Sequence, residues 1–97
     1  MEDLKAYYKR NDNFVFRKID NETILVPIKE NVADMGFIYN LNEAGAFIWE
    51  HLDGERQLLA IKDMMIEEFE ISSKKAEEDL IEFVDQLEKI EAIIPTV

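Results

Sequence analysis

One stretch limits what this chain can become: M-G-F-I-Y-N-L-N-E-A-G-A-F-I-W-E-H-L-D-G, Met35 to Gly54. Its opening part, Met35–Leu41, alternates Met35, Phe37, Tyr39 and Leu41 with Gly36, Ile38 and Asn40, the period of a strand with two distinct faces. It contains no Lys, Glu or Pro, the residues that usually blunt an exposed sheet edge. At Asn42 the period changes. Ala44, Phe47, Ile48 and Leu52 recur at helical spacing beside Trp49, the only tryptophan, and define an amphipathic helix. Asn42 has the side chain of an N-cap, Glu43 places an acid where the helix dipole favours one, and Asp53-Gly54 reads as the stop. The fold must therefore hold a strand with a chemically open edge directly in front of a helix. Any domain that does so has to leave that edge for a partner or cover it.

Size decides how much scaffold is available. At 97 residues the chain makes one domain with one modest core. Hydrophobic residues make up 47% of it, which suits a folded domain better than a disordered one. There is no cysteine, so disulfides, thiolate catalysis and Cys-ligated metals are excluded. No apolar run approaches the ~20 residues of a membrane span, and no signal-peptide pattern follows Met1. The expected location is the cytoplasm, with no membrane partner. The net charge of −11 is uneven: residues 1–41 carry 7 acids and 6 bases, residues 42–97 carry 15 acids and 5 bases. A second half this acidic repels phosphate backbones, so no nucleic-acid partner is expected.

Along the chain, residues 1–13 are set apart as an N-terminal segment with a Tyr7-Tyr8 pair, Lys5, Lys9 and Arg10; the sequence leaves open whether it frays or packs as a short helix or strand. Phe14–Ile19 (F-V-F-R-K-I) and Thr23–Ile28 (T-I-L-V-P-I) read as a β-hairpin across Asp20-Asn21-Glu22. Pro27 marks a bulge or the end of the second strand. With Met35–Leu41 these form an antiparallel meander whose edges are its first and third strands. After the Asn42 helix comes a second, Gln57–Phe69, with Leu58, Ile61, Met65 and Phe69 inward. A third, capped by Ser72 or Ser73 and running to about Ile90, carries Ala76, Leu80, Phe83, Val84 and Leu87 as its apolar stripe. Gly45 either lets the helix approach the sheet closely or is neutral, Trp49 reads as core, and His51 reads as a surface residue. Ala92-Ile93-Ile94 should pack back, with Pro95 stopping the chain. The expected fold class is α+β, winged helix-turn-helix-like: a three-stranded antiparallel sheet followed by three helices, in the order β-β-β-α-α-α, as a single domain over residues 14–94.

These residues resemble the PqqD family, the stand-alone peptide-recognition domain of ribosomally synthesised, post-translationally modified peptide biosynthesis. The resemblance rests on Arg17-Lys18-Ile19-Asp20, Thr23-Ile24-Leu25-Val26, Leu41-Asn42-Glu43-x-Gly45, Phe47-Ile48-Trp49, Leu52-Asp53-Gly54, and the third-helix pattern Ala76-Glu77-x-Asp79-Leu80-x-x-Phe83-Val84-x-x-Leu87. It covers about residues 14–94. Two departures stand out: Glu55-Arg56-Gln57 where the family often starts its second helix with Thr, and Glu91-Ala92 where it often has Gly.

The resemblance implies a non-catalytic adaptor, without cofactor or metal, that binds the leader of a precursor peptide as a strand added to Met35–Leu41 and presents it to a modifying enzyme, often a radical S-adenosylmethionine protein. Main-chain pairing and alternate side-chain pockets would supply affinity and register. The expected contacts are Phe37, Ile38, Tyr39, Asn40 and Leu41 on the strand and Lys74, Glu77, Glu78, Ile81 and Asp85 on the third helix. The acids there call for Lys or Arg beside an apolar anchor in the leader. Three other classes compete with this reading. A homo-oligomerising module, a homodimer for instance, could pair through the same edge. A DNA-binding winged helix would need its third helix in a groove, yet Ala76–Ile90 carries six acids against Lys89 alone. An enzyme finds no phosphate loop, metal cluster or nucleophile–base pair to work with.

Overall fold

The computed structural model describes residues 4–20, 22–28 and 39–96. Their elements run β1 (Tyr7–Arg10), β2 (Phe14–Ile19), β3 (Glu22–Pro27), β4 (Tyr39–Leu41), α1 (Glu43–His51), β5 (Asp53–Gln57), α2 (Leu58–Phe69), α3 (Ser73–Lys89) and β6 (Ile93–Thr96). The mixed α/β class and the three helices agree with the sequence reading. The order β-β-β-α-α-α does not: three further strands make a second sheet. Both sheets are antiparallel, ordered β2-β3-β4 and β5-β1-β6. No helix among the described residues is long and apolar enough to cross a membrane.

The first sheet follows the hairpin reading. Ile19 pairs with Glu22, so the loop between them has two residues, and Asp20 takes φ +55° as short hairpin loops demand. Pro27 is the last residue of β3, opposite Phe14; the next hairpin bond, from the Ile28 amide to the Asn13 carbonyl at 2.8 Å, is kept, so the missing N–H breaks no bond of the hairpin. β4 pairs with β3 through Thr23↔Leu41, Ile24↔Asn40 and Leu25↔Tyr39. The expected third strand is thus present from Tyr39; its earlier part, Met35–Ile38, lies outside the described residues.

The second sheet corrects the placing of the N-terminal segment outside the domain. Tyr7–Arg10 is its middle strand, and Tyr8 is buried. β6 runs antiparallel to it with Tyr8 opposite Pro95. Pro95 therefore lies within a strand rather than ending the fold, which an edge strand permits. On the other side D-G-E-R-Q has poor intrinsic β-propensity and is a strand because β1 offers it a ladder. The register slips between Tyr7↔Gln57 and Lys9↔Asp53, and Gly54 fills the bulge at φ +81°. A Cβ there would sit 3.3 Å from Lys9 Cβ as well as in the left-handed region. Gly54→Ala should cost about 1–2 kcal/mol, read as a lowered urea midpoint with an unchanged slope. Beside it, the Glu55 amide does most to hold the Asp53 carboxyl below its ordinary value; burial opposes this and Arg56 adds to it.

The departure at Glu55-Arg56-Gln57 has a structural compensation. Gln57 is the N-cap of α2 and gives no side-chain bond. Instead the carbonyls of Ala6 and Leu4 accept from the amides of Leu58 and Leu59 at 3.0 and 2.8 Å, satisfying donors that a cap would take. The departure at Glu91 is left uncompensated: Glu91 follows α3 at φ +60°, the position where helices favour glycine. Its carbonyl accepts from Asn11 Nδ2 at 2.8 Å. Glu91→Gly should relieve the strained backbone and stabilise by roughly 0.5–1 kcal/mol net of its unfolded-state entropy, measured as a higher Tm.

The core joins both sheets to the helices. Tyr8, Leu25, Ile48, Trp49, Leu52, Leu58, Ile61, Met65, Ala76, Leu80, Val84, Leu87, Ala92 and Ile93 form one buried cluster. Trp49 is core, as expected, and Met65 fills it from α2. Arg10 reaches from β1 to the end of α1, where Nη1 donates to the carbonyls of Trp49 and Glu50 at 3.1 and 2.8 Å, a cationic cap on the negative end of the helix dipole. His51 is half-buried rather than a bare surface residue. Its ring lies 4.3 Å from that of Phe47, and Nδ1 donates to the Phe47 carbonyl at 2.7 Å.

Candidate functional site

Among the described residues, the outer edge of β4 has no strand beside it: β3 is the only strand that pairs with β4. The N-terminal segment and β6, which could have covered that edge, build the other sheet instead. Beyond β4 the backbone enters α1 through the Asn42 corner, and the Leu41-Asn42-x-x-Gly45 motif explains itself there. Asn42 Oδ1 accepts from the Gly45 amide at 2.7 Å, fixing the first turn. Gly45 lies where α3 comes near: a Cβ there would meet the Phe83 ring in ordinary contact at 3.4 Å and press on Asn42 Oδ1 at 3.3 Å. The close approach anticipated for Gly45 is to the third helix, not to the sheet.

That approach opens a cleft of about 340 Å³ between the end of β4, the first turns of α1, and α3. Asn40, Leu41 and Asn42 form one side; Ala44, Gly45 and Ile48 form the floor; Lys75, Asp79, Glu82, Phe83 and Gln86 form the wall. The wall residues stand on successive turns of one helix face. Phe83 belongs to the apolar stripe of α3 yet stays partly exposed while Ala76, Leu80, Val84 and Leu87 are buried, because its ring looks into the cleft.

Of the expected strand contacts, Asn40 and Leu41 line the cleft, and Tyr39 lies beside them in β4. Phe37 and Ile38 lie outside the described residues. The expected helix contacts are elsewhere. None of Lys74, Glu77, Glu78, Ile81 and Asp85 lines the cleft. Glu77 faces α2, where Lys62 Nζ lies 3.1 Å from its Oε1, and Asp85 is 3.8 Å from Lys89 on its own helix. Lys74 and Glu78 are exposed, Ile81 half-buried. One residue along a helix turns the face by about 100°, and the cleft's Lys75, Asp79, Glu82 and Gln86 each follow an expected contact by one position. Phe83 carried the missed signal: a large aromatic at the margin of the stripe marks the side on which a cleft opens.

The cleft's charges are simple. Lys75 Nζ and Asp79 Oδ1 are 3.2 Å apart, an i,i+4 pair. Glu82 is exposed and has no ion-pair partner among the described residues. Among the described residues the site therefore combines a strand edge with no strand beside it, a floor of Ala44, Gly45 and Ile48, and a carboxylate, Glu82, without an ion pair.

No curated protein matches this chain. Among solved structures it is similar to TbiB1 in complex with the TbiA(beta) leader peptide: 26% identity, TM-score 0.70, covering 88% of this chain and 93% of that one. It is similar in fold to a lasso peptide synthetase B1 complexed with the leader peptide, at 19% identity and TM-score 0.74, over 93% of this chain and 100% of that one. The family described as coenzyme PQQ synthesis protein D (PqqD) matches residues 20–93. With β3, β4, the Asn42 corner, α1, α2 and α3 all inside that span, the chain belongs to the PqqD family.

Proposed function

We propose that the chain is a non-catalytic, cytoplasmic adaptor that binds the leader of a ribosomal precursor peptide as a strand added to the outer edge of β4, and presents it to a modifying enzyme. The observation that carries this is that, among the described residues, a strand edge with no strand beside it adjoins a cleft of mixed apolar and polar lining walled by α3. Strand addition uses the backbone for affinity and the alternate side chains for register, and here the backbone edge and the side-chain pocket lie side by side. The two similar structures hold leader peptides, which supports the same class of ligand for this chain. The fold is read as winged-helix-like, its sheet edge used for a peptide. Its third helix, acidic along its length, suits no phosphate backbone. The resemblance offers radical S-adenosylmethionine proteins as one kind of receiving enzyme.

The test is a titration of isotope-labelled protein with the short peptide encoded beside its gene. Amide shifts should concentrate in Tyr39–Ile48 and on the Lys75–Gln86 side of α3, and the β4 amides should become protected from exchange. Shifts confined to α2 and the β5-β1-β6 sheet would overturn the proposal.

A further inference from the structure

The cleft also carries an instruction about what it accepts. This step rests on the peptide-binding reading of the same site. A strand added beside β4 presents every second side chain to the same side, about 6.6 Å apart. Those turned toward α3 meet a surface of two kinds. One part is apolar: Leu41, Gly45, Ile48 and the partly exposed Phe83 ring. The other is polar and consists of Lys75, Asp79, Glu82 and Gln86. Lys75 and Asp79 are 3.2 Å apart and already answer one another, so neither asks for a charge from the ligand. Glu82 does. It sits beside Phe83 in sequence, on the cleft wall, with no ion-pair partner among the described residues. A bound strand would shield it from water, and a carboxylate that loses water needs a cation or donors in return.

We infer that Glu82 is the specificity residue of the cleft, selecting a peptide with Lys or Arg two positions from an apolar or aromatic anchor seated against Leu41 and the Phe83 ring. The carboxylate gains a partner only when the cation is present, and a peptide acid at that position meets like charge instead. The discrimination is therefore partly repulsive, as specificity commonly is. It is also local. The general acidity of the surface would favour basic peptides anywhere along their length, whereas Glu82 favours one position in register with the anchor.

The experiment is selection from a displayed library of random dodecapeptides on the full chain, with no assumption about the natural peptide. The wild-type protein should enrich Lys or Arg at the position two from an apolar anchor. Glu82→Lys should keep the anchor and switch that position to Asp or Glu. Synthetic peptides differing only there, Lys against Glu, should differ about three- to tenfold in Kd on the wild-type protein and reverse on the variant. Glu67→Lys, which makes the same charge change on exposed α2, should leave the consensus unaltered. An anchor without a charged position, or a charged position that Glu82→Lys does not switch or Glu67→Lys switches equally, would overturn the inference while leaving peptide binding in place. If neither protein enriches any peptide that protects the β4 amides, the peptide-binding reading fails and this inference with it.

Discussion

Trp49→Ala should lower stability by about 3–5 kcal/mol, the range for removing a buried large aromatic. A domain of this size has about 5–15 kcal/mol in total, so the variant should lie at or near the edge of folding. The indole is 3% exposed and belongs to the one cluster that contains Tyr8 of β1, Leu25 of β3, Leu58 of α2 and Leu80 of α3. Its loss leaves a cavity that no single element can close. The Trp49 carbonyl is also one of the two that Arg10 caps, so collapse around the hole would disturb the link between the second sheet and α1. Thermal unfolding by circular dichroism should show a Tm lower by well over about 10 °C, and Trp49→Phe a much smaller fall. A near-wild-type Tm for the alanine variant would mean that the core does not close around Trp49.

Ala44→Trp should abolish peptide binding, by about tenfold or more, while the fold persists. Ala44 is half-buried and lines the cleft from the first turn of α1. An indole there would project into the space that the strand's side chain needs. Tryptophan is only about 0.5 kcal/mol worse than alanine in a helix, so the Tm should change little. This separates occlusion from unfolding. Calorimetry with the neighbouring peptide reads the result: a stable variant that binds as the parent does would place the peptide outside the cleft.

Much of this architecture is legible in the residues, and the failures share a cause. Local signals worked. Phe14–Ile19 and the strand after it have β-branched and aromatic residues with a short polar loop between; Asn42 and Ser72 cap the helices they were expected to cap; the Ala76-Leu80-Val84-Leu87 stripe is buried. What could not be read was the partner of each short segment. Tyr7–Arg10 has strand-forming tyrosines but finds its neighbours only at Asp53–Gln57 and Ile93–Thr96. Asp53–Gln57 has no strand signal of its own. The candidate site divided in the same way. Asn40 and Leu41 follow from an absence of charge on a strand, a property of the segment itself. The wall of α3 depends on which face turns to α1, decided by the contact of Gly45 with Phe83 rather than by hydrophobic period.

The second sheet bears on the order in which this protein folds. The hairpin of β2 and β3 closes across a two-residue loop and each helix forms from neighbours in sequence, so these contacts need little loop closure. Tyr8 must instead find Pro95, and Tyr7 Gln57, after the intervening chain has been brought together, and contacts of that separation are reached slowly. In refolding, helical signal and the hairpin should therefore precede protection of β1. Mutations in the β5-β1-β6 sheet should then speed unfolding more than they slow folding, making that sheet the clasp that governs how long the folded protein lasts.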